Sequence, residues 1–395
     1  MMRRYLRAIV VALLLSAIFL SPSTAEPIAL PDKSASWLEI LNYYRLSSGL
    51  SPVEEDPKMT EGAQNHANYL AKTNNSFEVG EYQNLHKENP ASPYFTQAGV
   101  ELGAGNVSWS SASAVNRSID DLMTAPFHAI GFLREGLSKV GYGTATVQSG
   151  GHNPGSQVTD VAIIAGTTSQ PRTKILLFPG SDATVYLGDF SGENPDPRES
   201  CGRDFKSFRG LPIFASLLTK PQPNLSVTVG MPNGQTVSEG SQLCVVSENN
   251  FISSDSIYGD AGKSIIAAEH LVLIIPRNPL AFGTYSVTIK QGDLPDIAWK
   301  FKYADFKPKF SSSIKVSYPR SSQIAYVGEQ VKFQVYNVVS VFAETLGNCR
   351  AKWDNLILTV IGTRAGKCSL TIKAKPSLYF DGINSKYDLL FKLKK

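Results

Sequence analysis

The stretch Asp56-Pro-Lys-Met-Thr-Glu-Gly-Ala-Gln-Asn-His66-Ala-Asn-Tyr-Leu70 decides how the first part of the chain is read. Asp56 supplies an N-cap oxygen, and Pro57 stands at the first helical position, where its missing N–H removes no hydrogen bond. Met59, Ala63, His66, Ala67 and Leu70 then fall at i, i+4, i+7, i+8 and i+11, the period of a helix with one apolar face. His66 lies on that face. It is either a buried, hydrogen-bonded histidine or one at the lip of a pocket.

Upstream, Ser36-Trp-Leu-Glu39 has capping-box spacing, and Trp37, Leu38, Leu41 and Tyr44 recur at helical intervals until Gly49 closes the helix. Downstream, residues 73–110 read mostly as loop and carry His86 and Glu88, two residues apart. A third helix fits 112–124 through Val115, Ile119, Leu122 and Met123. Pro126 is read as its break, which puts His128 just past a helix C-terminus, where a positive imidazole is favoured. Strands follow at Val140–Val147, Val158–Ala165 and Lys174–Phe178, the first two joined through Gly150-Gly151. Helices first and strands later indicate a mixed α/β layered domain. His86 and His128, two of five histidines, are expected in the wall of one pocket, while His152 and His270 read as surface residues.

The chain has 395 residues, 18% charged and 42% apolar, which indicates a globular protein of two or three domains. Residues 1–25 read as a signal peptide. Arg3, Arg4 and Arg7 precede an apolar run from Ala8 to Leu20, and Ser23-Thr-Ala25 is a small-x-small site with cleavage after Ala25. No later run reaches the roughly 18 apolar residues of a membrane span, so a secreted or cell-surface mature chain is expected. Its formal charge is +1, from +4 less the three leader arginines. Residues 307–395 hold 15 Lys and Arg against 5 Asp and Glu, net +10, leaving −9 on residues 26–306. A basic tail on an acidic body suggests an anionic surface as partner. A solvated basic face is the alternative. No nucleic-acid motif is present.

After Gly180 the helical signal disappears. Short β-type runs such as Leu225–Val229, Leu271–Ile275 and Tyr285–Ile289 alternate with turn signals, among them Pro232-Asn-Gly234 and Gly259-Asp-Ala-Gly262. Pro308 opens a third unit with strands at Ile314–Val316, Val331–Val335, Leu356–Val360 and Ser369–Ile372. The four cysteines allow three pairings, and their gaps suggest Cys201–Cys244 and Cys349–Cys368, the latter stapling neighbouring strands. Expected units are therefore 1–25, 26–190, 191–305 and 306–395.

The first domain resembles the bacterial branch of the CAP superfamily, named for cysteine-rich secretory, antigen 5 and pathogenesis-related proteins. The residues that carry this are Leu41-Asn-Tyr-Tyr-Arg45, Gly49-Leu50, Pro52, Gly62-Ala-Gln-Asn-His-Ala67, His86, Gly103-Ala-Gly-Asn-Val107, Pro126-Phe-His128 and Val140-Gly-Tyr-Gly143. The resemblance covers roughly residues 35–180. It implies an α/β/α sandwich with a cleft lined by two histidines and two acids, able in some members to bind a divalent metal. His86 and His128 match the two histidines. The acid of the family's Gly-Glu-Asn element is missing, since Gly105 stands there, and Asp160 is the nearest polar candidate on the strand where other members carry a histidine. The last unit resembles bacterial Ig-like surface modules. The expected fold is an N-terminal α/β/α CAP sandwich followed by two all-β Ig-like sandwiches.

Three functions follow. The first is a non-enzymatic secreted binding protein whose cleft takes a lipid or other envelope ligand, with His86, His128, Glu88, His66 and Asp160 as pocket residues and no cofactor required. The second is a metal-assisted envelope hydrolase in which His86, His128 and Glu88 hold zinc. No His-Glu-x-x-His or Gly-x-Ser-x-Gly motif supports it. The third is a purely structural adhesion protein.

Overall fold

The computed structural model describes residues 28–32, 35–73, 79–103, 105–110, 118–147, 157–190, 192–304, 313–320, 323–336, 341–354, 357–374 and 383–394. The leader 1–25, the Gly150-Gly151 connection with His152, the start of the expected third helix and Pro308 lie outside them. No helix among the described residues is long and apolar enough to cross a membrane.

The first unit contains α1 (Trp37–Ser47), β1 (Glu54–Glu55), α2 (Pro57–Thr73), α3 (Gln97–Leu102), β2 (Asn106–Ser110), α4 (Ser118–Thr124), α5 (Pro126–Phe132), β3 (Lys139–Thr146) and β4 (Gln157–Ala162). Its sheet runs β1-β3-β4-β2, antiparallel except for the β1–β3 pair. Side-chain alternation gives the sheet two apolar faces. Ala162 packs with Met59 and Ala63 of α2. On the other face, Trp37 of α1 stacks on Tyr142 with ring centroids 4.7 Å apart, and Ile119 and Phe132 of α4 and α5 join Val140 and Val161. Helices on both faces make the α/β/α layering.

Each polar residue of Asn42-Tyr-Tyr-Arg45 ties α1 to another element. Asn42 exchanges hydrogen bonds with the backbone of Val53 at 2.8 and 3.0 Å. Tyr44 and Tyr186 both donate to the buried carboxylate of Asp120 at 2.6 Å. Tyr43 donates to the Thr184 carbonyl. Arg45 is fully buried and donates to the carbonyls of Ser51, Phe132, Arg134 and Leu137. Burial lowers its guanidinium to about 10, so it stays charged at neutral pH.

The second unit comprises β5 (Leu176–Phe178), β6 (Thr184–Val185), β7 (Ile213–Ser216), β8 (Leu225–Gly230), β9 (Thr236–Ser238), β10 (Leu243–Ser247), α6 (Gly259–Ala268), β11 (Leu271–Pro276), β12 (Gly283–Gln291) and β13 (Ile297–Tyr303). Its sheets run β10-β11-β7-β5 and β6-β13-β12-β8-β9. Three expectations change here. Leu176–Phe178, read with the first domain's strands, pairs with β7. In a unit otherwise built from two β-sheets, Gly259-Asp-Ala-Gly262, expected as a turn, instead opens α6. Its glycines hid the helix, and Gly262 is there for close approach: a Cβ would lie 2.5 Å from Pro195. Residues 97–110, read as loop, hold α3 and β2.

One hydrophobic core runs through both units, from Ile40 and Tyr44 through Phe178 and Phe214 to Trp299 and Phe301. The third unit has a separate core around Val331, Phe333, Leu358, Leu370 and Phe391. It is built from β14 (Ser313–Ser317), β15 (Ala325–Tyr326), β16 (Gln330–Tyr336), β17 (Val341–Gly347), β18 (Cys349–Asp354), β19 (Ile357–Gly362), β20 (Gly366–Ala374) and β21 (Ile383–Lys392). Its sheets run β14-β16-β19-β18 and β15-β21-β20-β17. The disulfides are Cys201–Cys244 and Cys349–Cys368. The second joins β18 to β20 across the sandwich, not neighbouring strands of one sheet.

Candidate functional site

β2 is an edge strand of the first sheet, and a cleft of about 780 Å³ lies beside it. Three walls close it. Leu85 and His86 form one, α4 and α5 with Asp121, Leu122 and His128 form another, and the strap Gly192–Arg198 with Tyr258 of the second unit forms the third. Val107, Ser108 and Trp109 of β2 line the floor.

The structure thus brings His86 and His128 to one cleft. It separates Glu88, His66 and Asp160 from them, since none of the three lines it. Glu88 is not a solvated loop acid. It is buried, accepts from the Thr96 N–H at 3.0 Å and faces His66 Nδ1 at 2.9 Å. His66 Nε2 lies 2.9 Å from the Leu85 carbonyl. Burial alone would lower His66, but its bond to Glu88, the charge of Asp160 and the Leu85 carbonyl outweigh it and raise the imidazole. Asp160 is fully buried, and its carboxylate has no hydrogen-bond partner among the described residues. Desolvation holds it well above the usual carboxylate range. His66 and Glu88 fasten the loop beneath His86, and none of the three groups lines the cleft.

Pro126 does not leave His128 past a helix end. It starts α5 at the first helical position, so His128 sits in the first turn, where the helix field disfavours a positive ring. Ala125 provides no side-chain cap for α5. Glu193 of the strap supplies one instead, accepting the Phe127 N–H at 3.0 Å while lying 3.1 Å from His128 Nδ1. Burial raises the Glu193 carboxyl well above its ordinary range, although the Phe127 amide works against it. Burial pushes His128 down to about 4. Burial, then the nearby His128 and His66, push His86 down to about 4 as well. Both rings are neutral at pH 7.

Glu193, Tyr258 and Asp121 were missed in the sequence. The strap carries Asn194-Pro-Asp-Pro197, and nothing in that stretch of sequence points back to His128. Tyr258 accepts the Leu85 N–H at 2.8 Å and meets His86 edge-on, with ring centroids 6.0 Å apart. Burial, then the charge of Asp120, push Asp121 up to about 7. Gly105 is explained too: a Cβ there would lie 2.1 Å from the Val161 carbonyl oxygen, so no acid can stand at that place while β2 lies against β4.

The zinc expectation is corrected. Among the described residues no group of three or more His, Cys, Asp or Glu could hold a metal ion. Glu88 is turned into the core, His128 Nδ1 faces Glu193, and the His86 ring is bonded to the Gly105 backbone.

Residues 38–159 match the model of the cysteine-rich secretory protein family, CAP. No curated protein matches the chain. Among solved structures, the tandem Ig repeats of Dlar are 12% identical over 46% of this chain and 89% of that one, with a TM-score of 0.16. A chimeric titin Z1Z2 is 10% identical over 46% and 88%, with a TM-score of 0.22. Fibronectin(III)-like modules of Clostridium thermocellum CbhA are 12% identical over 56% and 94%, with a TM-score of 0.18.

Proposed function

We propose that this chain is an exported binding protein, not an enzyme, whose inter-unit cleft takes an uncharged, largely apolar envelope ligand such as a lipid. The cleft itself supports this most. Leu85, Val107, Trp109 and Leu122 give it apolar surface, while two neutral imidazoles and the Tyr258 ring give it uncharged polar edges. Such a lining rewards burial of apolar area, and its charged side chains Arg198 and Asp196 pair with each other at 2.7 Å. The third unit, with its +10 charge, acts as the module that faces an anionic surface.

The test is mass spectrometry of lipids retained by the purified mature protein, together with displacement of a fluorescent apolar probe. We expect stoichiometric probe binding, weakened about tenfold or more by His128→Ala or Tyr258→Ala. Absence of both retained lipid and probe binding refutes the reading. N-terminal sequencing of the exported protein should begin at Glu26.

One observation favours a second reading. Ser108 Oγ is buried in the cleft wall without a hydrogen-bond partner among the described residues. A serine hydrolase using His128 and Glu193 would be labelled by an organophosphorus probe, and Ser108→Ala would abolish the label.

A further inference from the structure

We propose that the outward face of the β14-β16-β19-β18 sheet binds a linear polyphosphate-type anion, a chain whose phosphate charges recur along its length. This rests on the reading that the third unit faces an anionic surface, and it names the face and the chemistry. Strand alternation sends Val331, Phe333, Leu358 and Val360 into the core and leaves Lys315, Lys332, Arg350 and Lys352 exposed outside. Register then sets their spacing. Lys332 lies opposite Thr359, which lies opposite Lys352. Lys315 lies opposite Gln334, two residues from Lys332, and Arg350 is two residues from Lys352. With strands about 4.8 Å apart and about 6.7 Å per residue pair, successive cations stand about 7–10 Å apart in one line across the sheet.

None of the four makes an ion pair among the described residues. Of the acids at the sheet's ends, Glu329 is already engaged by Arg320 at 2.7 Å and Lys394 at 3.8 Å, and Asp354 stands opposite Ile357 at the end of β18, two residues from Lys352. Gln330, Gln334 and Thr359 lie between the cations and offer uncharged hydrogen bonds. The four positions span about 20 Å of the sheet, an extent that a partner with charges recurring along a chain can follow. A lipid surface fits less well, because the exposed large apolar side chains Phe342, Leu346 and Leu390 belong to the other sheet. There Lys367, Lys373, Lys386 and Lys392 are interleaved with Glu344 and Asp388, so the cationic line is broken.

The experiment measures binding of full-length protein to inorganic polyphosphate, by fluorescence anisotropy across a salt series, and to phosphatidylglycerol vesicles. Four contacts predict a log–log salt slope of about −3, at about −0.7 per contact on a single strand. The pair K332E/K352E should weaken polyphosphate binding about 30-fold or more and roughly halve the slope. K367E/K386E on the opposite sheet should change it less than about threefold. Thermal melting checks that the third unit keeps its transition, and K332Q/K352Q replaces the reversal pair if it does not. Equal losses from both faces would reduce the effect to net charge and overturn the proposal. Vesicle binding without polyphosphate binding would also overturn it while keeping the surface reading. Binding to neither probe removes both.

Discussion

Residues 28–304 and residues 313–394 divide differently from the way their secondary structure suggests. The first region contains two architectures, a layered α/β unit and a β-sandwich, yet one hydrophobic core spans both, with smaller clusters packed around α2. The second region is one small sandwich with its own core. The difference shows that a cooperative unit is defined by which residues bury one another, not by where helices give way to strands. Tyr44 of α1 shares Asp120 with Tyr186, and it also meets Phe178 of β5 with centroids 6.3 Å apart. The boundary between the first two units is therefore a well-packed interior. The regions also differ in charge, −9 over residues 26–306 against +10 over 307–395.

The largest test of this contrast is Phe214→Ala. Phe214 has no exposed surface, and its loss should cost about 3–5 kcal/mol. Calorimetry should show one body transition lowered as a whole, with the third unit's transition unmoved, and Phe333→Ala should do the reverse. Protection of α1 amides that survives Phe214→Ala would break the shared-core picture. Next, reduction of Cys349–Cys368, which closes a loop of sequence separation 19, should cost the third unit about 3 kcal/mol. A small core cannot absorb that loss, so its transition should move below the body's.

A pH series sharpens the contrast further. His86 and His128 are held at about 4, below the ordinary imidazole value near 6.5. Between those values the unfolded chain takes up protons that the folded body refuses, so their contribution is complete above 6.5 and falls as pH drops toward 4. His66, being raised, works the other way: its contribution is present at low pH and is lost as pH rises through its folded value. His128→Gln should lose less body stability than wild type between pH 6.5 and 4, by at most about 3 kcal/mol. The third unit contains no histidine, so its transition should be identical in the two proteins. The smallest effect is Arg134→Ala. Arg134 pairs with Glu269 across the two-unit seam at 3.0 Å while partly exposed, and its removal should lower the body by no more than about 1 kcal/mol in urea titration.

Much of the first unit was legible because its signals are local. Asp56 does cap α2 through the amides of Lys58 and Met59, and Ser36 with Glu39 forms the capping box of α1. The helical period of α2 was enough to place His66 on its apolar face. Errors arose where a residue's role is set by a distant partner. Pro126 carries the same chemistry whether it ends one helix or starts another, and only the Glu193 cap decides. Glu88 looks solvated until His66 and Thr96 are seen around it. Gly259 and Gly262 give turn statistics, while the packing of Pro195 on α6 asks for a helix with a bare side. The cleft's two histidines could be named from sequence, but not the acid and the tyrosine that complete its wall from residues 193 and 258.

Tyr258 lies 173 residues beyond the Leu85 amide it holds, and this sets an order of events. The cleft cannot be finished by the first unit alone, however early its helices form. It closes only after the second unit's chain has been delivered, and the sheet carrying β13 must then pair with β6 across more than a hundred residues. Completion of the cleft is thus postponed until the whole body has folded. A half-made chain, with its first helices already formed, would lack the third wall.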